Sequence, residues 1–191
     1  MRVGIAHHLG WAVAVTASAD HVVLDRRRIE LLGPDQPAAP IHHLGGAHAM
    51  HASSDALLDD DALADLVAQV RRSAARVTAE CLNALEHDLP GPVTSLSVRS
   101  WPGDFPTGIS ALRRVPYESR ADSVMYCQVL AEAAAARGWR VHLYDARKVE
   151  QEAAHVLGAR AQELLHGPRS LLGAPWTKDH RMALAATVVA P

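Results

Sequence analysis

Leu58, Leu63, Leu66, Val70, Ala74, Val77, Cys81 and Leu85 recur mainly at three- and four-residue intervals. That spacing places one long apolar stripe on a helix. The charges agree: Asp59, Asp60, Asp61 and Asp65 come first, and Arg71, Arg72 and Arg76 follow. Acids therefore lie near the positive end of the helix dipole and bases further along. Consecutive aspartates on a helix point around its surface, so this cluster reads as solvated capping rather than as a metal site. Pro90-Gly91-Pro92 ends the run. A mixed sheet covered by helices is the economical way to bury such a stripe.

The flanking segments supply that sheet. Val3 to Ala6 is short and apolar, Gly10 permits a turn, and Trp11 to Thr16 reads as the next strand. Ser18-Ala19-Asp20 is a second turn, and Val22 to Leu24 leads into Arg28-Ile29-Glu30-Leu31, giving an antiparallel hairpin or a three-stranded meander. Gly33-Pro34, Pro37 and Pro40 stop regular pairing, and the histidine-rich stretch Ile41 to His51 reads as a loop or short irregular helix. After the long helix come a strand at Val93 to Val98, a structured loop from Trp101 to Tyr117 and a helix over Ala121 to Arg137. A strand at Trp139 to Tyr144 follows, then helical stretches at Val149 to Leu157 and Ala161 to Leu165, interrupted by Gly158. Gly167-Pro168 and Gly173-Ala174-Pro175 read as a linker, and Asp179 caps or enters a final helix over roughly His180 to Val188. A helix between two strands implies a right-handed parallel crossover. The expected fold is α/β, one domain over residues 1–191: a mixed sheet with antiparallel N-terminal strands, parallel crossovers and flanking helices.

A net charge of −2 argues against long-range capture of nucleic acid but leaves room for a local basic groove. Cys81 and Cys127 both fall in apolar helical patterns and read as buried free thiols. No apolar stretch approaches the ~20 residues of a membrane span, and no leader-like segment opens the chain. The expectation is a cytoplasmic protein with no membrane contact. Twelve histidines make properties sensitive to pH between about 6 and 7.

Three segments carry a family resemblance. Val3-Gly4-Ile5-Ala6 resembles the first strand of the ribonuclease H-like superfamily, in particular its RuvC-type resolvase branch, with Ala6 at the acidic position. Val93 to Val98 resembles the central strand but contains no acid. Asp179-His180-Arg181-Met182-Ala183-Leu184-Ala185-Ala186 resembles the last helix, with Asp179 at the first acidic position and Met182 at the second. The resemblance implies a ribonuclease H-like fold across most of the chain. Two divalent ions beside a phosphate need several oxygen ligands. Alanine and methionine supply none, so two-metal nuclease chemistry is not expected.

Other residues offer chemistry of their own. His7, His42 and His43 with Asp179 are a candidate zinc set, and His8, His48 and His51 add further imidazoles. Asp145, after a candidate parallel strand, and Asp179 with His180 are candidate catalytic groups. Trp176 and Lys178 are candidates to line a pocket, although Trp176 equally suits the cover of an apolar helix end. Arg26-Arg27-Arg28 is a candidate nucleic-acid contact with Trp11 or Trp139 as a stacking partner, against the alternative of a charged edge strand. Arg113, Arg114 and Arg120 form a second basic patch. The favoured function is a catalytically degenerate nuclease-like scaffold, contacting a protein partner, a second copy of itself or nucleic acid. The alternatives are a metal-dependent phosphodiester hydrolase using histidines with Asp145 and Asp179, and a small-molecule enzyme with an unrelated pocket.

Overall fold

In the computed structural model, which describes residues 1–46 and 58–191, the N-terminal apolar runs form an antiparallel meander. Its strands are β1 (Arg2–His7), β2 (Trp11–Ala17) and β3 (Val23–Glu30). Gly10, at φ +81°, takes the left-handed conformation that the β1–β2 turn needs. Opposite Ile5 stands Ala14, and the β2–β3 register slips at Thr16/Ala17.

The long stripe forms α1 (Asp60–Asp88), with Asp59 as N-cap accepting the backbone N–H of Ala62 at 2.8 Å. The first aspartate of the cluster is thus a cap. Then come β4 (Ser95–Arg99), α2 (Ile109–Leu112), α3 (Glu118–Ala135) and β5 (Arg140–Tyr144). Both β1–β4 and β4–β5 pair in parallel, and the sheet order is β3-β2-β1-β4-β5. The mixed sheet and its crossovers are as expected. The chain finishes with α4 (Val149–Leu157), α5 (Ala161–His166), α6 (Pro168–Leu172) and α7 (Lys178–Val189).

Strand alternation divides the core into two layers. Val3 and Ile5 of β1 and Leu96 and Val98 of β4 pack with Val70 and Leu82 of α1 and Tyr126 and Leu130 of α3. On the opposite face Ala6, Val13 and Val15 pack with Val149 of α4 and with Ala183, Leu184 and Ala186 of α7. Gly4 faces this second layer, and a Cβ there would stand 1.8 Å from Ala183 O. The backbone of α7 therefore rests directly on β1.

Three local expectations change. The 167–175 linker contains α6, because Pro168 occupies its first turn, where a missing N–H costs nothing. The 101–117 loop contains the short α2. Thr177, not Asp179, caps α7; Asp179 stands in its first turn. The apolar stripe of α1 is covered, and no large hydrophobic residue of α1 is strongly exposed among the described residues. Among those residues no helix is long and apolar enough to cross a membrane.

Candidate anion-binding cleft

The parallel strands all end on one side of the sheet, where α7 begins. Ligand sites in open α/β sheets form outside such carboxyl ends. Here a cleft of about 740 Å³ is lined by Arg99, Arg120, Arg147 and Lys178, with Asp145 and Asp179. Arg99 ends β4 on the side of α7, the same side as Ser97, whose hydroxyl donates to Ala186 O at 2.9 Å. Arg120 stands in the first turn of α3, and Lys178 and Asp179 open α7. Asp145 follows β5 and accepts the backbone N–H of Arg147 at 2.8 Å, a turn that leaves the Arg147 side chain exposed.

Four cations face two carboxylates, so the cleft carries two excess positive charges in a chain whose net charge is −2. None of the four cations has an ion-pair partner among the described residues. Arg99 Nε is buried with no acceptor. Asp179 is already engaged, because His8 Nε2 lies 3.0 Å from its Oδ2. His8 also stacks on Trp11, with ring centroids 4.1 Å apart and planes 9° from parallel.

These residues do not fit a pair of divalent ions. Ala6 and Met182, the two positions where the resemblance implies acids, are 0% and 6% exposed and belong to the same apolar cluster. Among the described residues no group of three or more His, Cys, Asp or Glu side chains converges to hold a metal. The proposed zinc set of His7, His42, His43 and Asp179 is thus not assembled, and strand alternation is one reason. His7 points to the α3 side of β1, where its Nε2 lies 2.9 Å from Ser123 Oγ and 3.4 Å from Cys127 Sγ. Burial, then the nearby Arg99 and His8, push its pKa down to about 3. The next residue, His8, is the one that reaches Asp179. His42 and His43 lie on a π-helical turn, Ile41–Gly45, anchored elsewhere: Asp122 accepts the backbone N–H groups of Ile41 at 3.2 Å and His42 at 2.9 Å. Burial raises the Asp122 pKa to about 6. His48 and His51 lie outside the described residues.

Other candidates take structural positions. His180 belongs to a capping box: its Nδ1 accepts the Thr177 backbone N–H at 3.2 Å and lies 2.9 Å from Thr177 Oγ1. It is therefore not arranged as an acid–base partner of Asp179, whereas Asp145 and Asp179 do share the cleft. Trp176 is buried and donates from Nε1 to Leu165 O at 2.9 Å, which makes it the cover of a helix end and not a stacking surface. Arg26 donates to the carbonyls of Leu172 at 2.6 Å and Gly173 at 3.0 Å, and also to Pro175. Arg27 pairs with Asp25 at 2.7 Å and Asp88 at 2.8 Å. Arg28 pairs with Glu30 at 2.8 Å and lies 4.1 Å over the Trp11 ring. Trp11 is thus engaged by both His8 and Arg28. These arginines border a neighbouring hollow that shares Asp179 with the cleft. Arg113 is likewise structural, donating to Gly45 O at 2.9 Å, to Leu58 O at 2.7 Å and to Asp60.

Of the proposed nucleic-acid contacts, Lys178 lines the cleft, as does Arg120 of the second basic patch. Arg99 and Arg147 escaped assignment as site residues although a signal existed: each stands at or just beyond the end of a parallel strand. The Ser123–His7–Cys127 contact had no signal, since it joins residues 116 and 120 positions apart.

No protein-family model and no curated protein matches the chain. Among solved structures it is similar to Thermus thermophilus RuvC in complex with a Holliday junction substrate. The TM-score is 0.52 at 15% identity, covering 98% of this chain and 89% of that one. A second Thermus thermophilus RuvC structure gives a TM-score of 0.48 at 14% identity, covering 98% and 90%. The chain has a RuvC-like, ribonuclease H-type fold.

Proposed function

We propose that this chain is a catalytically degenerate nuclease-like scaffold that associates with nucleic acid by holding phosphate directly on the cations of its cleft. One observation carries this: the two positions where acids would be expected hold the apolar Ala6 and Met182, the latter bordering the cleft, while Arg99, Arg120, Arg147 and Lys178 line it. A two-metal clamp requires a strongly negative, oxygen-rich pocket. This cleft has the opposite sign, which disfavours divalent cations and favours phosphate oxygens. Guanidinium groups pair with phosphate through two parallel hydrogen bonds. The similar RuvC structure was solved with a Holliday junction substrate, which supports nucleic acid as the ligand class. The role is regulatory: occupying or presenting a strand without cutting it.

Fluorescence anisotropy with a four-way junction, a duplex and a single strand, all in EDTA, tests this. Binding without metal is expected. Log affinity should fall with log salt, by about 0.9 per phosphate neutralised on a duplex and about 0.7 on a single strand. Magnesium or manganese should produce no strand scission. Absence of binding at low salt overturns the proposal, as does metal-dependent cleavage that is lost in Asp179→Asn.

A further inference from the structure

We infer that the cleft selects a single phosphate dianion, the phosphomonoester end of a nucleic-acid strand, over the internal diester, and holds it without a metal ion. This rests on the nucleic-acid function proposed above and narrows its ligand. Charge is the first ground. Arg99, Arg120, Arg147 and Lys178 outnumber Asp145 and Asp179 by two, so one dianion neutralises the cleft. A diester group carries one negative charge and leaves an excess, whereas a triphosphate overshoots.

Donor supply is the second ground. The four cationic side chains are free of ion pairs among the described residues, and Arg99 Nε is a buried donor with no acceptor. A buried donor left unpaired is costly, and no carboxylate of the described residues approaches the Arg99 side chain within ion-pair distance. A diester offers two non-bridging oxygens, whereas a monoester offers three that share the larger charge. These suit three guanidinium groups and an ammonium better. Asp145 accepts the Arg147 backbone N–H and Asp179 lies beside His8, and neither forms an ion pair with the four cations.

Place is the third ground. Arg99, Arg147 and Lys178 come from the ends of β4 and β5 and the start of α7, and Lys178 adds its charge at the positive end of a twelve-residue helix. Trp11, in the neighbouring hollow, is engaged by His8 and Arg28, and Phe105 lies 6.0 Å from the Arg120 guanidinium. The lining of the cleft itself contains no aromatic ring among the described residues, so it is equipped to read a phosphate.

The test compares single strands of one sequence bearing a 5′-phosphate, a 3′-phosphate, hydroxyl ends, or a 5′-phosphate blocked as its methyl diester, all in EDTA. Inorganic phosphate is titrated separately. At least a tenfold preference for one phosphorylated end over the hydroxyl and methyl-blocked strands is expected. Arg99→Met and Arg147→Gln should each reduce it to within about twofold, while Arg72→Gln, the same charge change on α1, should leave it intact. Circular dichroism confirms that the variants fold, and Arg147 is exposed, so its variant keeps the test decisive. Equal affinity for phosphorylated and hydroxyl ends overturns the inference but leaves the nucleic-acid function standing. A preference that requires magnesium, or that persists in both cleft variants, also overturns it. Binding of inorganic phosphate with no strand bound overturns both.

Discussion

Replacing Gly4 with alanine tests how the cleft is held in place. The added Cβ would lie 1.8 Å from Ala183 O, 2.8 Å from Ala183 C and 3.1 Å from Thr187 Cγ2. An ordinary carbon–oxygen contact is about 3.3–3.6 Å, so β1 and α7 must separate by roughly 1.5 Å. The obstructing atoms are backbone, and no rotamer change relieves them. Moving α7 also disturbs the buried Leu184, Ala185 and Ala186, while Arg2 holds its far end through Thr187 O at 2.9 Å. Overpacking typically costs about 1–3 kcal/mol, and a backbone clash belongs at the upper end, about 3 kcal/mol. With a urea slope of about 2 kcal/mol/M, the unfolding midpoint should fall by about 1.5 M. The chain's four tryptophans provide the fluorescence signal. Gly103→Ala is the control: nothing lies within 4 Å of its added carbon, so a change under about 0.5 kcal/mol is expected. Because α7 carries Lys178, nucleic-acid binding should weaken in the Gly4 variant as well. An unchanged midpoint for Gly4→Ala would refute the direct seating of α7 on β1.

Three further outcomes follow from buried groups. His7 titrates near 3 in the fold against 6.5 when unperturbed, so the stability gained by burying it neutral is whole above pH 6.5 and is lost as pH falls towards 3. The loss should reach about 2 kcal/mol at pH 5, and urea midpoints at pH 7 and 5 should show it in the native protein but not in His7→Gln. Asp122 acts with the opposite sign, because its pKa is raised from 3.8 to about 6. Its contribution is most favourable below pH 3.8 and is lost as pH rises through 6, by about 3 kcal/mol. The stability difference between Asp122→Asn and the native chain should therefore move in the variant's favour between pH 4 and 7, and a constant difference would count against this. Burial pushes the Cys127 thiol up to about 12, so thiol-labelling reagents at pH 8 should modify it only after unfolding, with mass spectrometry locating the label.

The architecture was largely legible because periodicity is local. The stripe from Leu63 to Leu85 required α1, and the alternation from Val3 to Ile29 required a meander. The substitutions at Ala6 and Met182 were legible as departures from a pattern, since an apolar residue cannot hold a hard cation wherever it stands. Boundaries were harder to place. Thr177 took the cap expected near Asp179, and Pro168 began a helix inside an apparent linker, because both outcomes depend on how neighbouring backbone groups find partners.

The chain order of hydrophobic and helix-forming residues, by itself, determined a mixed sheet clad in helices and removed two expected metal ligands. Only tertiary structure decided which charges meet. Arg26, Arg27 and Arg28 are adjacent in the chain, yet strand pairing and carbonyl contacts tie them to separate partners. Arg99, Arg120, Arg147 and Lys178 are scattered, yet the sheet brings them to one cleft. His8 and Asp179 meet across 171 positions. Helix and strand periods act over a few residues, whereas a charged site forms where distant strand ends converge, and no local pattern encodes that convergence.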